Sequence, residues 1–155
     1  MLKKITKNFY LYELTQIVPT NEQLFCLELL AIKLQKIRDH FNNPIKILSG
    51  LRNKAINDGL RDKGYNSSKT SDHMAWCADN PTGLGAVDFT MSDIEVVFKW
   101  IINNIAEYEQ LIFYPDNGFI HLSNRWDQVF KSPNPRNQNN RLLKVINGKL
   151  FKVLP

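Results

Sequence analysis

Thr20 and Gln23 have the spacing of a capping box, and behind them apolar residues recur at Leu24, Leu27, Leu30, Ala31, Leu34, Ile37 and Phe41. In such a box the Thr hydroxyl and the Gln side chain each satisfy a backbone group that the first helical turn leaves open. The three-four spacing that follows puts the apolar residues on one stripe, which predicts a long scaffold helix with one buried face. Asn42-Asn43-Pro44 ends it, because proline neither donates to nor fits the helical ladder.

The remaining sequence alternates short strand signals with shorter helices. Ile45 to Ser49 reads as a strand entering a Ser-Gly-Leu-Arg turn, and Asn53 to Lys63 as a short helix stopped by Gly64. Tyr65 to Asp72 is a polar loop. The apolar run Ala86-Val87-Asp88-Phe89 reads as a buried strand. Ser92 and Glu95 have the spacing of a second capping box, for a helix carrying Val96, Val97, Trp100, Ile101 and Ile105. Glu109 to Tyr114 and Phe119 to Ser123 are expected to pair as antiparallel strands across Pro115-Asp116-Asn117-Gly118. A final hairpin is expected within residues 142–154, because Asn147-Gly148 suits a type I′ turn. Helices mixed with short antiparallel strands predict an α+β fold, and 155 residues suit a single domain spanning 1–155.

Three residues carry the chemistry: His73 in Lys-Thr-Ser-Asp-His, Asp88 in Gly-Ala-Val-Asp-Phe, and His121 in Phe-Ile-His-Leu-Ser. Two imidazoles and one carboxylate leave a fourth tetrahedral position for water, the pattern of a catalytic zinc site rather than a closed structural one. Zinc lowers the pKa of such a water to about 7. If the three converge, the chain reads as a metallohydrolase.

The run Ser49-Gly50-Leu51-Arg52-Asn53, the Lys69–His73 and Gly85–Phe89 segments, and Phe119–Ser123, in this order, resemble the zinc D-alanyl-D-alanine peptidase family. The opening Asn8-Phe9-Tyr10-Leu11-Tyr12-Glu13-Leu14 with a long helix behind it resembles the phage and prophage branch. The similarity runs from roughly residue 8 to residue 124. It implies a small antiparallel sheet that carries the zinc, with helices packed on one side. It also implies a substrate, the stem peptides of peptidoglycan, cut at a D,D- or L,D-bond by a carboxypeptidase or an endopeptidase. Arg52 matches the family's substrate or transition-state arginine; a guanidinium can hold a terminal carboxylate through two parallel hydrogen bonds. Ser71 matches a serine that helps bind substrate, although a loop hydroxyl can equally cap local backbone.

The chain departs from the family pattern twice. The family spaces its first His and its Asp as His-x-x-Gly-x-Ala-x-Asp, whereas Asp88 lies fifteen residues after His73, with Met74 to Thr82 reading as an insertion. Asp79 is closer to the usual spacing but sits in a turn-rich context, so Asp88 is preferred. Trp76 in the insertion is either a groove wall or a packing lid. Relatives also carry a catalytic acid near the Gln-Leu-Ile strand, where this chain has Tyr114. Asp116 is the nearest carboxylate in sequence and a candidate general base, although Asp is equally favoured there as a turn residue. Tyr114 is a candidate proton donor or oxyanion stabiliser. A wall-binding protein that does not cut, and a structural virion protein with ordinary core histidines, remain rival readings.

Composition bounds these readings. An apolar share of 43% and a charged share of 23% are ordinary for a globular domain. No apolar run is long enough to span a bilayer. The first eight residues have the charge of a signal peptide without its apolar core. No export is therefore predicted, and with the resemblance to the phage branch this implies synthesis in the cytosol of a phage-infected or lysogenic host, with action on the wall after release. Cys26 and Cys77 are too few for a disulfide framework. Cys26 reads as packing, and Cys77, four residues from His73, as a loop thiol or a further ligand. The net charge of +5 is spread out, with Lys33 to Arg38 expected to face solvent. It serves solubility first and attraction to anionic wall polymers second. No nucleic-acid motif is present, and a monomer is expected. His40, at a helix C-terminus, is assigned to the dipole.

Overall fold

The computed structural model describes residues 3–65, 67–136, 141–146 and 148–153. Among the described residues, five α-helices run α1 Leu11–Leu14, α2 Asn21–Phe41, α3 Lys54–Asp62, α4 Ile94–Asn104 and α5 Trp126–Val129. The same residues form six strands, β1 Lys46–Ser49, β2 Ala86–Thr90, β3 Gln110–Tyr114, β4 Phe119–Ser123, β5 Arg141–Ile146 and β6 Lys149–Lys152. One sheet holds all six in the order β1-β2-β4-β3-β5-β6.

The α+β class follows from these elements, with a refinement of the sheet. Every pair is antiparallel except β3–β5, which is parallel, so the sheet is mixed. The C-terminal hairpin is present as β5–β6. Its turn residue Asn147 lies outside the described residues.

The α2 capping box forms: Gln23 N donates to Thr20 Oγ1 at 3.2 Å, and Thr20 N donates to Gln23 Oε1 at 3.1 Å. Cys26, Leu27, Leu30, Ala31, Leu34 and Ile37 are buried along one stripe. The second expected box does not form. The cap of α4 is Asp93, in the left-handed region at φ 55°, and no side chain caps that end. Ser92 falls one residue outside the turn.

Strand alternation divides the sheet into two faces. Val87, Phe89, Leu111, Phe113, Ile120 and Leu122 belong to the core with the buried residues of α2 and α4. The opposite face carries Ser49, Asp88, His121 and Ile112, aligned across β1, β2, β4 and β3 by register. Helices thus pack behind the sheet, and the chemistry-bearing residues stand on its other side.

Lys33 contradicts the solvent-facing reading of its segment. It is 3% exposed and donates to Asn124 Oδ1 at 2.6 Å and Gln128 Oε1 at 2.8 Å. Burial pushes its pKa down to about 7, against about 10.4 in an unfolded chain. Between these values the unfolded chain binds the extra proton, so stability rises with pH across that window and is lost as pH falls back towards 7. The melting temperature of the wild type relative to Lys33→Met is expected to increase from pH 7 to pH 10. A pH-independent difference would count against a titrating buried lysine.

Candidate metal centre

Two of the three candidate ligands are brought together by register alone. Asp88 on β2 lies directly opposite His121 on β4, and both strands are interior to the sheet. His121 Nδ1 is 2.8 Å from Asp88 Oδ1. Gly85 makes the turn into β2 at φ 82°, a conformation that a side chain would strain. The third residue, His73, comes from a 3-10 turn, Asp72–Met74, and its Nε2 lies 3.2 Å from Asp88 Oδ2. One ligand atom from each of His73, Asp88 and His121 falls within 4.8 Å of the other two. Asp79 is exposed and Cys77 partly buried on the loop of residues 74–82; neither joins the group.

Neighbouring groups fix how these atoms point. His73 Nδ1 lies 2.9 Å from the Gly50 carbonyl oxygen. A carbonyl only accepts, so Nδ1 carries the proton and the neutral ring presents a lone pair at Nε2. That lone pair faces a carboxylate oxygen, an arrangement that needs a proton or a metal cation between them. Burial acts to raise the Asp88 pKa, but positive charge and hydrogen-bond donation at the adjoining His73 and His121 positions outweigh it and hold the carboxyl well below the usual range. The donor set of two imidazole nitrogens and an ionised carboxylate therefore fits a divalent metal. Among the described residues, His121 Nε2 is buried without a hydrogen-bond partner, so Asp88 and strand packing set the orientation of that ring.

Arg52 reaches the same group from the end of β1. Its Nε and Nη2 donate to Ser49 Oγ at 3.0 and 2.8 Å, and Nη2 also reaches Asp88 Oδ2 at 3.4 Å. Its backbone N–H donates to the His73 carbonyl at 2.7 Å. Ser71 caps the 3-10 turn, its hydroxyl accepting from His73 N at 3.3 Å.

Tyr114 pairs with Phe119 and stacks on its ring at 4.3 Å, on the face that carries His121. Burial, then the nearby Asp88 charge, raises its pKa. It is thus held as a phenol, able to donate but poorly suited to act as a base. Asp116 is exposed on the hairpin turn, beyond the Tyr114–Phe119 pair and further along the strands than His121. Trp76 packs against Phe130 with ring centroids 5.0 Å apart. His40 stacks on Trp100 at 4.5 Å, away from the site strands.

Ser49 and Gly50 stand in the Ser-Gly-Leu-Arg motif, but residue type does not announce what each does. Ser49 holds the Arg52 guanidinium, and the Gly50 carbonyl sets the His73 tautomer. Backbone acceptors leave no trace in residue type, so only the motif as a whole carried a signal.

The family model described as Peptidase M15 matches residues 7–123, a span containing all three candidate ligands and Arg52. Searches among curated proteins and among solved structures each found no match. With three-quarters of its length matched by that model, and a His-Asp-His group that could hold a metal, the chain belongs to the Peptidase M15 family of metallopeptidases.

Proposed function

We propose that this protein is a zinc peptidase that hydrolyses D,D- or L,D-bonds in peptidoglycan stem peptides, and that it serves a phage or prophage as a lysin. The observation that carries the reading is the convergence of His73 Nε2, an Asp88 oxygen and His121 Nδ1, with the His73 tautomer fixed by Gly50. These three residues would hold the zinc, which supplies Lewis acidity toward a peptide carbonyl and acidifies water. Arg52, anchored by Ser49, stands at the edge of the group and suits a substrate carboxylate or a developing oxyanion. Tyr114 donates from its phenol, and Ser71 lies beside His73 for a substrate contact. Asp116 is the carboxylate of the neighbouring hairpin turn. It takes the base role only if substrate or a bridging water reaches it there.

A second reading has its own support. Tyr114 occupies the end of β3 where an acid would serve as base, which favours a protein that binds wall peptide without cutting it. One experiment separates the two. Purified protein is incubated with peptidoglycan, with chelator, and with chelator followed by zinc, and newly released amino groups are counted. Release that chelator stops and zinc restores is expected. Retained wall binding with no release would select the binding protein. Release unaffected by chelator would sink the metal-dependent reading.

A further inference from the structure

The insertion relative to the family spacing meets the part of the chain that lies beyond the family match. The first is the loop of residues 74–82; the second is the chain beyond residue 123, where the family match ends. Trp76 packs on Phe130, and Phe130 on Trp126 at 4.3 Å. Further on, Arg136 turns back toward the site. Its Nη1 and Nη2 donate to Asp72 Oδ1 and Oδ2 at 2.7 and 3.0 Å, a bidentate fork. Nη1 also reaches the Thr82 carbonyl at 3.3 Å, and Nε lies 3.2 Å from Glu109 Oε1.

Asp72 immediately precedes His73, and its Oδ1 also accepts from Leu84 N at 3.1 Å. Glu109 immediately precedes β3, the strand paired with the His121 strand. Arg136 therefore ties the turn bearing one candidate ligand to the sheet bearing the other two. The need is physical. Asp88 and His121 sit on hydrogen-bonded strands, but His73 rides on a three-residue 3-10 turn, a conformation with little stability of its own. The side chains of Asp72, Glu109 and Arg136 are 2%, 0% and 18% exposed, so solvent screens the contact weakly.

We propose that Arg136 is a positioning residue for the metal centre, setting His73 against Asp88 and His121 through its fork on Asp72. This rests on the metallopeptidase reading of the site. Removing the guanidinium outright would strip the buried Asp72 carboxylate of its two charged hydrogen bonds, which threatens folding itself. Arg136→Lys keeps the charge and loses the planar fork, so it is the decisive variant, with Arg136→Gln beside it. Arg125→Lys, at the more exposed pair with Asp127, is the control.

Zinc is titrated into each full-length protein against a chromophoric chelator, and melting is followed separately in excess chelator. Arg136→Lys is expected to bind zinc roughly ten-fold more weakly, the effect typical of residues that orient metal ligands. Arg136→Gln should lose more, Arg125→Lys nothing, and the melting temperature of Arg136→Lys in chelator should match the wild type. Zinc affinity equal to the wild type in Arg136→Lys would overturn the positioning role and leave the metal site standing. A loss of cooperative melting in chelator would also overturn it, because Arg136 would then hold the whole fold. A wild type that takes up no zinc would sink the site reading and this proposal with it.

Discussion

Asp88→Ala is expected to abolish stoichiometric metal binding and to lower kcat/KM on a stem-peptide substrate by on the order of a thousand-fold or more. Asp88 is the hub of the site, with His73, His121 and Arg52 all within 3.4 Å of its carboxylate. Its oxygens would supply the negative charge that offsets a divalent cation, and two neutral imidazoles alone would make a weak site. Lewis-acid stabilisation is worth several kcal/mol, and about 4 kcal/mol corresponds to a thousand-fold in rate. Asp88→Asn, nearly the same shape but neutral, should fail alike, which separates charge from packing. Metal content by mass spectrometry, with turnover on the same samples, checks both. A mutant that keeps one metal per chain would remove Asp88 from the ligand set and reopen Asp79.

Gly50→Ala is expected to damage both fold and site. A Cβ on Gly50 would lie 2.0 Å from the Leu14 carbonyl oxygen and 2.7 Å from its carbon. The approach is held by the hydrogen bond from Leu51 N to that same oxygen at 2.8 Å. Backbone cannot rotate out of the way as a side chain can, so α1 and the end of β1 must separate. Overpacking of this kind costs about 1–3 kcal/mol, and in a domain of this size each kcal/mol lowers the melting temperature by about 2–4 °C. The same shift moves the acceptor of His73 Nδ1, so metal affinity should fall by roughly ten-fold as well. Thermal melting in chelator reads the first effect and a metal titration the second. Unchanged values in both would mean that the loop accommodates a methyl group and that Gly50 is replaceable.

The three candidate ligands were legible because each sits in a short local pattern, and strand alternation then forces Asp88 and His121 onto one face. The α2 stripe was legible for the same reason, since a period of 3.6 residues is written directly in the sequence. What lay hidden is long-range or counter to type. Lys33 sits among charged residues on a helix, and nothing local says that Asn124 and Gln128, more than ninety positions away, wait as buried acceptors. An Asn-Gly turn announces that two strands pair with each other, but not that the hairpin docks in parallel on β3. The α4 start was misplaced because Asp93 takes a left-handed conformation that residue spacing does not reveal. Arg136 meets Asp72 across 64 positions, from a segment that carries no motif of its own.

The sheet order has a kinetic corollary. β1 and β6 are the edge strands, so fraying begins there, while β2 and β4 are flanked on both sides and open only with the global unfolding of the domain. Asp88 and His121 are therefore expected in a slow hydrogen-exchange class. His73, outside any ladder, belongs to a faster one. An ion held by the three residues would then have a lifetime set by opening of the His73 turn, and changes in the loop would alter its residence time without loosening the strands beneath.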